Sequence, residues 1–319
     1  MTYNIVVHGC RHPHWQDYVD QVERTDGFRI SHIWDRDEQS LSAALSATGA
    51  RKFDPATPIK GVSAILLLSE TSFHVEDLAA ILAWHLPMFI EKPLGASTTN
   101  VLLVSKAVAV SGLPFHTGFF LRTVPALAEA RKLIGSGRLG CIGYVRIRFT
   151  HNGVRAGWLR DNWILEPKLA GVGGFGDLAI HCVDLLRWWG LRPLVQGPSS
   201  YENIMGRTEA EDFGVSLVSY PGGTAVVEAG WVAGDGPMLD IEVLGSRGTL
   251  RMRGEHLVAQ IGDCGDNTNL GAIELDAGMG LRPFLHGIRS GDWSECVAIE
   301  EAVEANLVTL GIKNEIEKP

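Results

Sequence analysis

The sequence predicts an α/β fold in two parts, a helix-covered parallel sheet followed by an α+β domain on a mostly antiparallel sheet. Over the first 120 residues, short uninterrupted Val/Ile/Leu runs alternate with helical patterns, as in parallel strands buried on both faces. Beyond Cys141 the apolar runs lengthen and Gly-containing turns separate them, as in antiparallel hairpins. At 319 residues, 45% hydrophobic and 20% charged, the chain can fill one large core or two ordinary ones.

In chain order, the first part reads as strands over Asn4–His8, Phe28–Trp34, Val62–Leu68, Met88–Ile90 and Pro114–Phe119. Helices are expected over Trp15–Arg24, Glu38–Thr48, Phe73–Trp84 and Thr99–Ser111. This is the architecture of a dinucleotide-binding Rossmann domain, placed at residues 1–122. A helix over Pro125–Ile134 closes at Gly135-Ser136-Gly137 and opens the second domain, residues 123–319. Its strands are Val145–Thr150, Phe213–Tyr220, Ala225–Trp231, Leu239–Leu244 and Thr249–Met252, with turns at Pro221-Gly222-Gly223 and Ser246-Arg247-Gly248. A last helix runs over Cys296–Leu310.

The formal charge of −9 argues against nucleic acid or an anionic membrane as the main partner. The start, Met1-Thr2-Tyr3-Asn4, lacks the cationic opening of a signal peptide. The longest quasi-apolar stretch is taken as Leu78–Ile90, which His85 and Pro87 interrupt, so no membrane span is expected. Cys10, Cys141, Cys182, Cys264 and Cys296 form no paired spacing, which suits a reducing cytoplasm.

The first strand ends in Gly9-Cys10-Arg11-His12-Pro13-His14, where a phosphate-binding fingerprint would read Gly-x-Gly-x-x-Gly. Only the first glycine is kept. Arg11 stands where backbone normally approaches pyrophosphate, and Arg11 and His12 are expected to replace the lost contacts with charged hydrogen bonds. His8, Cys10, His12 and His14 lack the spacing of a closed metal site, and no metal is assigned. Asp35, twenty-six residues after Gly9, stands where an acid accepts ribose hydroxyls and so favours NAD; Arg36 beside it keeps NADP open.

The stretch from Gly171 to Trp189, GVGGFGDLAIHCVDLLRWW, places ionisable groups where a buried helix should have none. Read as a helix from near Gly176, it carries apolar side chains on both faces and Asp177, His181 and Asp184 on a third stripe. Such groups inside a fold are costly unless paired or facing a wet cavity. Asp177 and His181 are the proton-transfer candidates, and Asp184 is structural, within reach of Arg187. Separately, Pro87-Met88-Phe89-Ile90 ends in Glu91-Lys92-Pro93, so Lys92 would stand beyond the carboxyl end of a strand, where ligands of open α/β sheets bind.

These two segments, Glu91-Lys92-Pro93 and the glycine run followed by Asp177 through His181, occur in order and about eighty-five residues apart. Together they resemble the glucose–fructose oxidoreductase / inositol dehydrogenase / rhizopine-catabolism (Gfo/Idh/MocA) family, over nearly the whole chain. The resemblance implies a Rossmann domain followed by a large open sheet whose free face serves homodimer or homotetramer contacts. It assigns catalysis to Lys92, Asp177 and His181. His181 suits the base, since imidazole titrates near working pH, and Lys92 would stabilise negative charge on the reacting oxygen. Asp177 would orient the substrate and tune the imidazole. Gly9, Cys10, Arg11, His12, Asp35, Arg36, Ser69, Glu91 and Lys92 would line the cofactor. Arg122, His151, Trp158, Asn162 and Trp163 would meet a sugar or polyol, by stacking and by hydroxyl recognition. Phe120, Val172 and Ala179 replace residues usual in the family and point to an altered pocket wall.

The expected activity is NAD(P)-dependent hydride transfer between nicotinamide and a hydroxyl/ketone pair of a sugar, inositol or related polyol. Two competitors stand beside it. One retains NAD for redox-assisted glycoside cleavage, epimerisation or elimination; the other is a non-catalytic nucleotide-sensing regulator, supported only by the degraded glycine loop.

Overall fold

The computed structural model describes residues 2–234, 236, 238–262, 265 and 267–314. Cys264 lies outside them; Cys10, Cys141, Cys182 and Cys296 are free thiols. The chain separates into two compact units: Met1–Phe120 with Asp161–Gly171 and Asp276–Glu304, and Leu121–Arg160 with Val172–Leu275 and Ala305–Pro319. The first crossing falls beside the expected cut at 122/123. The chain then returns to the first unit twice, which a reading of contiguous stretches does not register.

The first unit holds β1 (Tyr3–His8), β2 (Phe28–Trp34), β3 (Arg51–Lys52), β4 (Ala64–Leu67), β5 (Met88–Ile90) and β6 (Phe115–Thr117). They form one parallel sheet in the order β3-β2-β1-β4-β5-β6, the Rossmann order, which reverses direction between β1 and β4. Every residue of β4, β5 and β6 is buried; β4 and β5 read as unbroken apolar runs, while β6 buries His116 and Thr117 beside Phe115. The helices Trp15–Glu23, Glu38–Thr48, His74–Leu82 and Thr98–Ser111 begin and end within two residues of expectation. Two have unambiguous caps: Asp37 accepts from the Ser40 amide, Ser97 from that of Asn100, and Gly49 and Gly112 close the same helices in the left-handed region.

One helix of this unit escaped the pattern. Arg282–Ser290 places Phe284 and Leu285 in the same apolar cluster as Tyr18, Phe89 and Val22. Its apolar face spans only nine residues, too short a run to stand out in the sequence, though Pro283 and Gly291 mark its ends.

The second unit holds β7 (Ile142–Thr150), β8 (Leu194–Glu202), β9 (Phe213–Tyr220), β10 (Gly223–Gly230), β11 (Leu239–Gly245), β12 (Gly248–Arg253), β13 (His256–Ile261) and β14 (Asn267–Ala272). Their order is β14-β13-β12-β11-β7-β10-β9-β8, with β7 and β10 parallel and the remaining neighbours antiparallel. Tyr220 pairs with Gly223 and Gly245 with Gly248, so both expected hairpins have two-residue turns, Pro221-Gly222 and Ser246-Arg247. Of the strands missed, β8 and β14 are the sheet's edges and carry Gly-Pro and polar residues that edge positions tolerate. β13 lies past Met252, where the expected strands stopped.

The helix Gly174–Trp188 lies against β7, β9 and β10, and every residue from Gly174 to Leu186 is buried. It starts two residues earlier than expected. The stretch Pro167–Trp188 is the one long and apolar enough to cross a membrane among the described residues, and 89% of its most apolar window is buried in the protein. It is a core segment, and it displaces Leu78–Ile90 as the longest apolar stretch.

On this helix Asp184 meets Arg122: Nη2 donates to Oδ1 at 2.6 Å and Nε to Oδ2 at 3.0 Å, a two-pronged pair with side chains 13% and 1% exposed. The structure thus commits Arg122, expected on the substrate, to a structural ion pair, and supplies Asp184 with a cation from outside its own helix. Arg122→Ala leaves that carboxylate buried without its guanidinium. The expected loss is about 3–5 kcal/mol of stability at neutral pH, read as a lower urea midpoint; an unchanged midpoint would remove the pair from the account of this core.

Candidate functional site

In the first unit the chemistry gathers where β1 ends. Gly9 has φ +97°, and its amide donates to the Trp34 carbonyl at 2.7 Å. A Cβ on Gly9 would stand 2.6 Å from the carbonyl carbon of Leu68, so only glycine fits this turn. Asp35 is 4% exposed and accepts the Cys10 amide at 2.6 Å and the Asp37 amide at 2.8 Å. Its carboxylate therefore anchors the loop from the end of β2, and each oxygen keeps a lone pair for a further donor.

Arg11 and His12 of this loop bond back to the protein. Nη1 of Arg11 donates to Glu70 at 3.0 Å, while the Arg11 carbonyl accepts from Trp163 Nε1 at 3.1 Å and Asn162 Nδ2 at 3.4 Å. Asn162 and Trp163, expected on the substrate, thus hold the dinucleotide loop. His12 is buried, its Nδ1 accepting the His14 amide at 3.1 Å, so the neutral ring carries its proton on Nε2, which lies 3.7 Å from Glu91 Oε1. Instead of pointing to a phosphate, His12 braces the loop toward the segment after β5. Burial pushes the carboxyls of Glu70 and Glu91 up, against the pull of Arg11 and Lys92 respectively.

Arg36 is also engaged. Its Nη1 and Nη2 donate to Asp77 at 2.9 and 2.5 Å, and its guanidinium lies 4.1 Å over the Phe73 ring. Asp77 accepts Ser69 Oγ at 2.5 Å and lies 3.2 Å from His8 Nε2. Burial raises its carboxyl, but His8, Arg36 and Ser69 outweigh that and hold it well below the usual range. Glu91 and Lys92 are 1% and 3% exposed at the end of β5, and the Lys92–Pro93 peptide is cis. A Cβ on Gly171 would stand 2.5 Å from that of Ala96, so the first glycine of the run packs on the loop that follows Glu91-Lys92-Pro93.

In the second unit, Asp177 and His181 are 5% and 1% exposed, one helical turn apart. Trp231 Nε1 donates to Asp177 Oδ2 at 2.8 Å, and the His181 ring meets Phe149 edge-on at 5.6 Å. The next glycines are dictated by close approach: a Cβ on Gly174 would stand 2.9 Å from Trp231 and 2.8 Å from the Asp212 carbonyl, and the Gly173 amide donates to Glu211 at 3.1 Å. His151 accepts the Gly153 amide on Nδ1 at 3.0 Å and lies 4.8 Å from Trp158, which is 53% exposed. Trp231, Glu211 and Asp77 are the polar partners that pattern reading missed. Of the three, only Trp231, directly after a strand glycine, left a trace in the sequence.

The residues of the first unit fit a dinucleotide: a glycine-only turn at the sheet's reversal point, and a buried carboxylate at the ribose position with lone pairs left. Comparison with known proteins agrees on the fold.

Residues 127–251 carry a GFO/IDH/MocA C-terminal domain.

Two curated dehydrogenases are similar to part of the chain. An inositol 2-dehydrogenase of Saccharopolyspora erythraea is 28% identical over 193 residues, 59% of this chain and 54% of that protein. The scyllo-inositol 2-dehydrogenase (NAD(+)) of Bacillus subtilis is 25% identical over 198 residues, 60% and 55% of the two chains. The chain spans about half the length of the curated relatives it matches. The crystal structure of an oxidoreductase domain protein from Kribbella flavida superposes with a TM-score of 0.82 at 21% identity, covering 98% of this chain and 97% of that one. A parallel Rossmann sheet in one unit and a large, mostly antiparallel sheet in the other are therefore the fold of this chain.

Gly9→Val would force a side chain into the β1 turn at positive φ. The expected result is a loss of about 2 kcal/mol or more in stability together with loss of dinucleotide binding. Differential scanning fluorimetry with and without the dinucleotide reads both; a wild-type melting curve would show that the turn has room to spare.

Proposed function

We propose that this chain is an NAD-dependent oxidoreductase that oxidises a secondary hydroxyl of an inositol, sugar or related polyol, or reduces the matching ketone. The observation that carries the reading is the Asp177–His181 pair, an acid and an imidazole one turn apart on a buried helix whose other acid, Asp184, is taken up by Arg122. The inositol dehydrogenases among its relatives support the substrate class. A homo-oligomer joined through the sheet face that bears the Arg146–Glu228 and Arg146–Asp240 ion pairs belongs to the same reading.

The dinucleotide, when bound, supplies the acceptor for the hydride that leaves the carbinol carbon. Gly9 leaves room for its pyrophosphate, and Asp35 accepts from the ribose hydroxyls, a carboxylate that would repel a 2′-phosphate. His181, as neutral imidazole, takes the hydroxyl proton. Lys92, buried at the end of β5, is a cation suited to stabilise negative charge that develops on a reacting oxygen. Asp177 orients the substrate through a neighbouring hydroxyl. The Trp231 indole donates to one of its oxygens and fixes the direction of that oxygen. Loss of the hydroxyl proton to His181, with the hydride passing to the dinucleotide when it is bound, would leave the ketone.

The test is spectrophotometric. Reduced nicotinamide should accumulate in proportion to ketone when NAD and a panel of inositols and sugars are supplied. His181→Ala and Lys92→Ala should each lower turnover by at least ~10²-fold, with the His181 variant binding NAD as tightly as the parent. Trp231→Phe should lower kcat by about tenfold and shift its pH profile, with KM for NAD unmoved. Tight NAD binding without turnover on any polyol, or full activity without His181, would overturn the reading.

A further inference from the structure

The strongest unassigned feature is the buried cluster His8–Ser69–Asp77–Arg36 at the end of β1 and β4. Asp77 lies on the His74–Leu82 helix, outside the β1 loop and the end of β2, where recognition of the adenosine ribose is expected, and it is 3% exposed. Arg36 directly follows Asp35, the carboxylate placed at the ribose, and its side chain is 25% exposed. A guanidinium there is the group that would bind a 2′-phosphate if it were available. It is not: both its terminal nitrogens go to Asp77 at 2.9 and 2.5 Å, its face lies 4.1 Å over Phe73, and Glu76 adds a second acid at 3.7 Å. The loop's other cation, Arg11, is engaged by Glu70 at 3.0 Å. A 2′-phosphate would thus meet the Asp35 carboxylate and two guanidinium groups already neutralised.

We infer that Asp77 is a specificity-determining residue for NAD over NADP, acting by occupying the Arg36 guanidinium. Ser69 and His8 hold the carboxylate in place for that role, with Ser69 Oγ at 2.5 Å and His8 Nε2 at 3.2 Å. The inference rests on the dinucleotide reading above. It differs from a purely structural ion pair in what it predicts for cofactor choice.

The experiment measures dissociation constants of NAD and NADP by calorimetry for the full chain, for Asp77→Asn, for Arg36→Gln and for the double variant. In the parent, NAD binds more tightly. Asp77→Asn should tighten NADP at least ~10-fold relative to NAD by freeing the fork for the phosphate, and adding Arg36→Gln should abolish the gain. Arg36→Gln alone should leave the NADP constant within about threefold, because that cation is already engaged. Arg36 is partly exposed, so this variant decides the matter even if Asp77→Asn does not fold. A folded Asp77→Asn chain with an unchanged NADP:NAD ratio, or an Arg36→Gln chain that loses NADP tenfold, overturns the inference. A parent that binds neither nucleotide overturns the dinucleotide reading itself.

Discussion

The approach of β1 to β4 at Gly9 is the constraint on which the first unit's chemistry depends. The turn leaves no volume for a Cβ, since the backbone of Leu68 and Ser69 occupies it. That proximity brings the end of β1 beside Ser69, and through Ser69 beside Asp77 and Arg36. It also lets the Asp35 carboxylate, from the end of β2, accept the Cys10 amide and pin the loop. With a side chain at position 9 the strand ends would separate, and the carboxylate, the loop and the buried cluster would lose their common frame.

The β1 loop shows how a degraded fingerprint can still make a defined loop. Where a glycine-rich loop is shaped by backbone freedom, this one is shaped by side chains that brace it from within. His12 takes the His14 amide, Glu70 takes Arg11, and Trp163 and Asn162 reach the Arg11 carbonyl from a segment far along the chain. Such braces make the loop's geometry a property of tertiary contacts, which a search for spaced glycines cannot detect. The same substitution exchanges adaptable backbone for a fixed lining, and a preformed site loses less conformational entropy on binding.

Much of this was legible in the sequence because burial on both faces writes itself as unbroken apolar runs. Met88–Ile90 was placed to the residue for that reason, and Glu38–Thr48 by its caps; Phe28–Trp34, which carries Arg29, Ser31 and His32, was placed by its apolar ends. The edge strands Leu194–Glu202 and Asn267–Ala272 were not, since an edge tolerates the polar and Gly-Pro residues that erase the pattern. At the site, the ionisable residues were conspicuous but their partners were not. Asp77 sits in an ordinary helix and Trp231 at an ordinary strand end, and nothing local reveals which acid a given cation will meet. Arg122, Asn162 and Trp163 show the same: residue type suited a ligand, and each side chain is bonded to a protein partner distant in sequence.

The helix Gly174–Trp188 makes the distinction between structural and chemical acids concrete. Asp177 and Asp184 lie on one stripe, are almost equally buried, and differ in what satisfies them. Asp184 receives a guanidinium on both oxygens, which neutralises its charge and fills its strongest acceptor directions. Asp177 accepts an indole N–H from Trp231 on one oxygen, and the rigid ring fixes the direction of that oxygen. An arginine fork fastens Asp184 by charge and geometry together, whereas the indole fastens Asp177 by the direction of one N–H, so two acids on one stripe of one helix are held by different means.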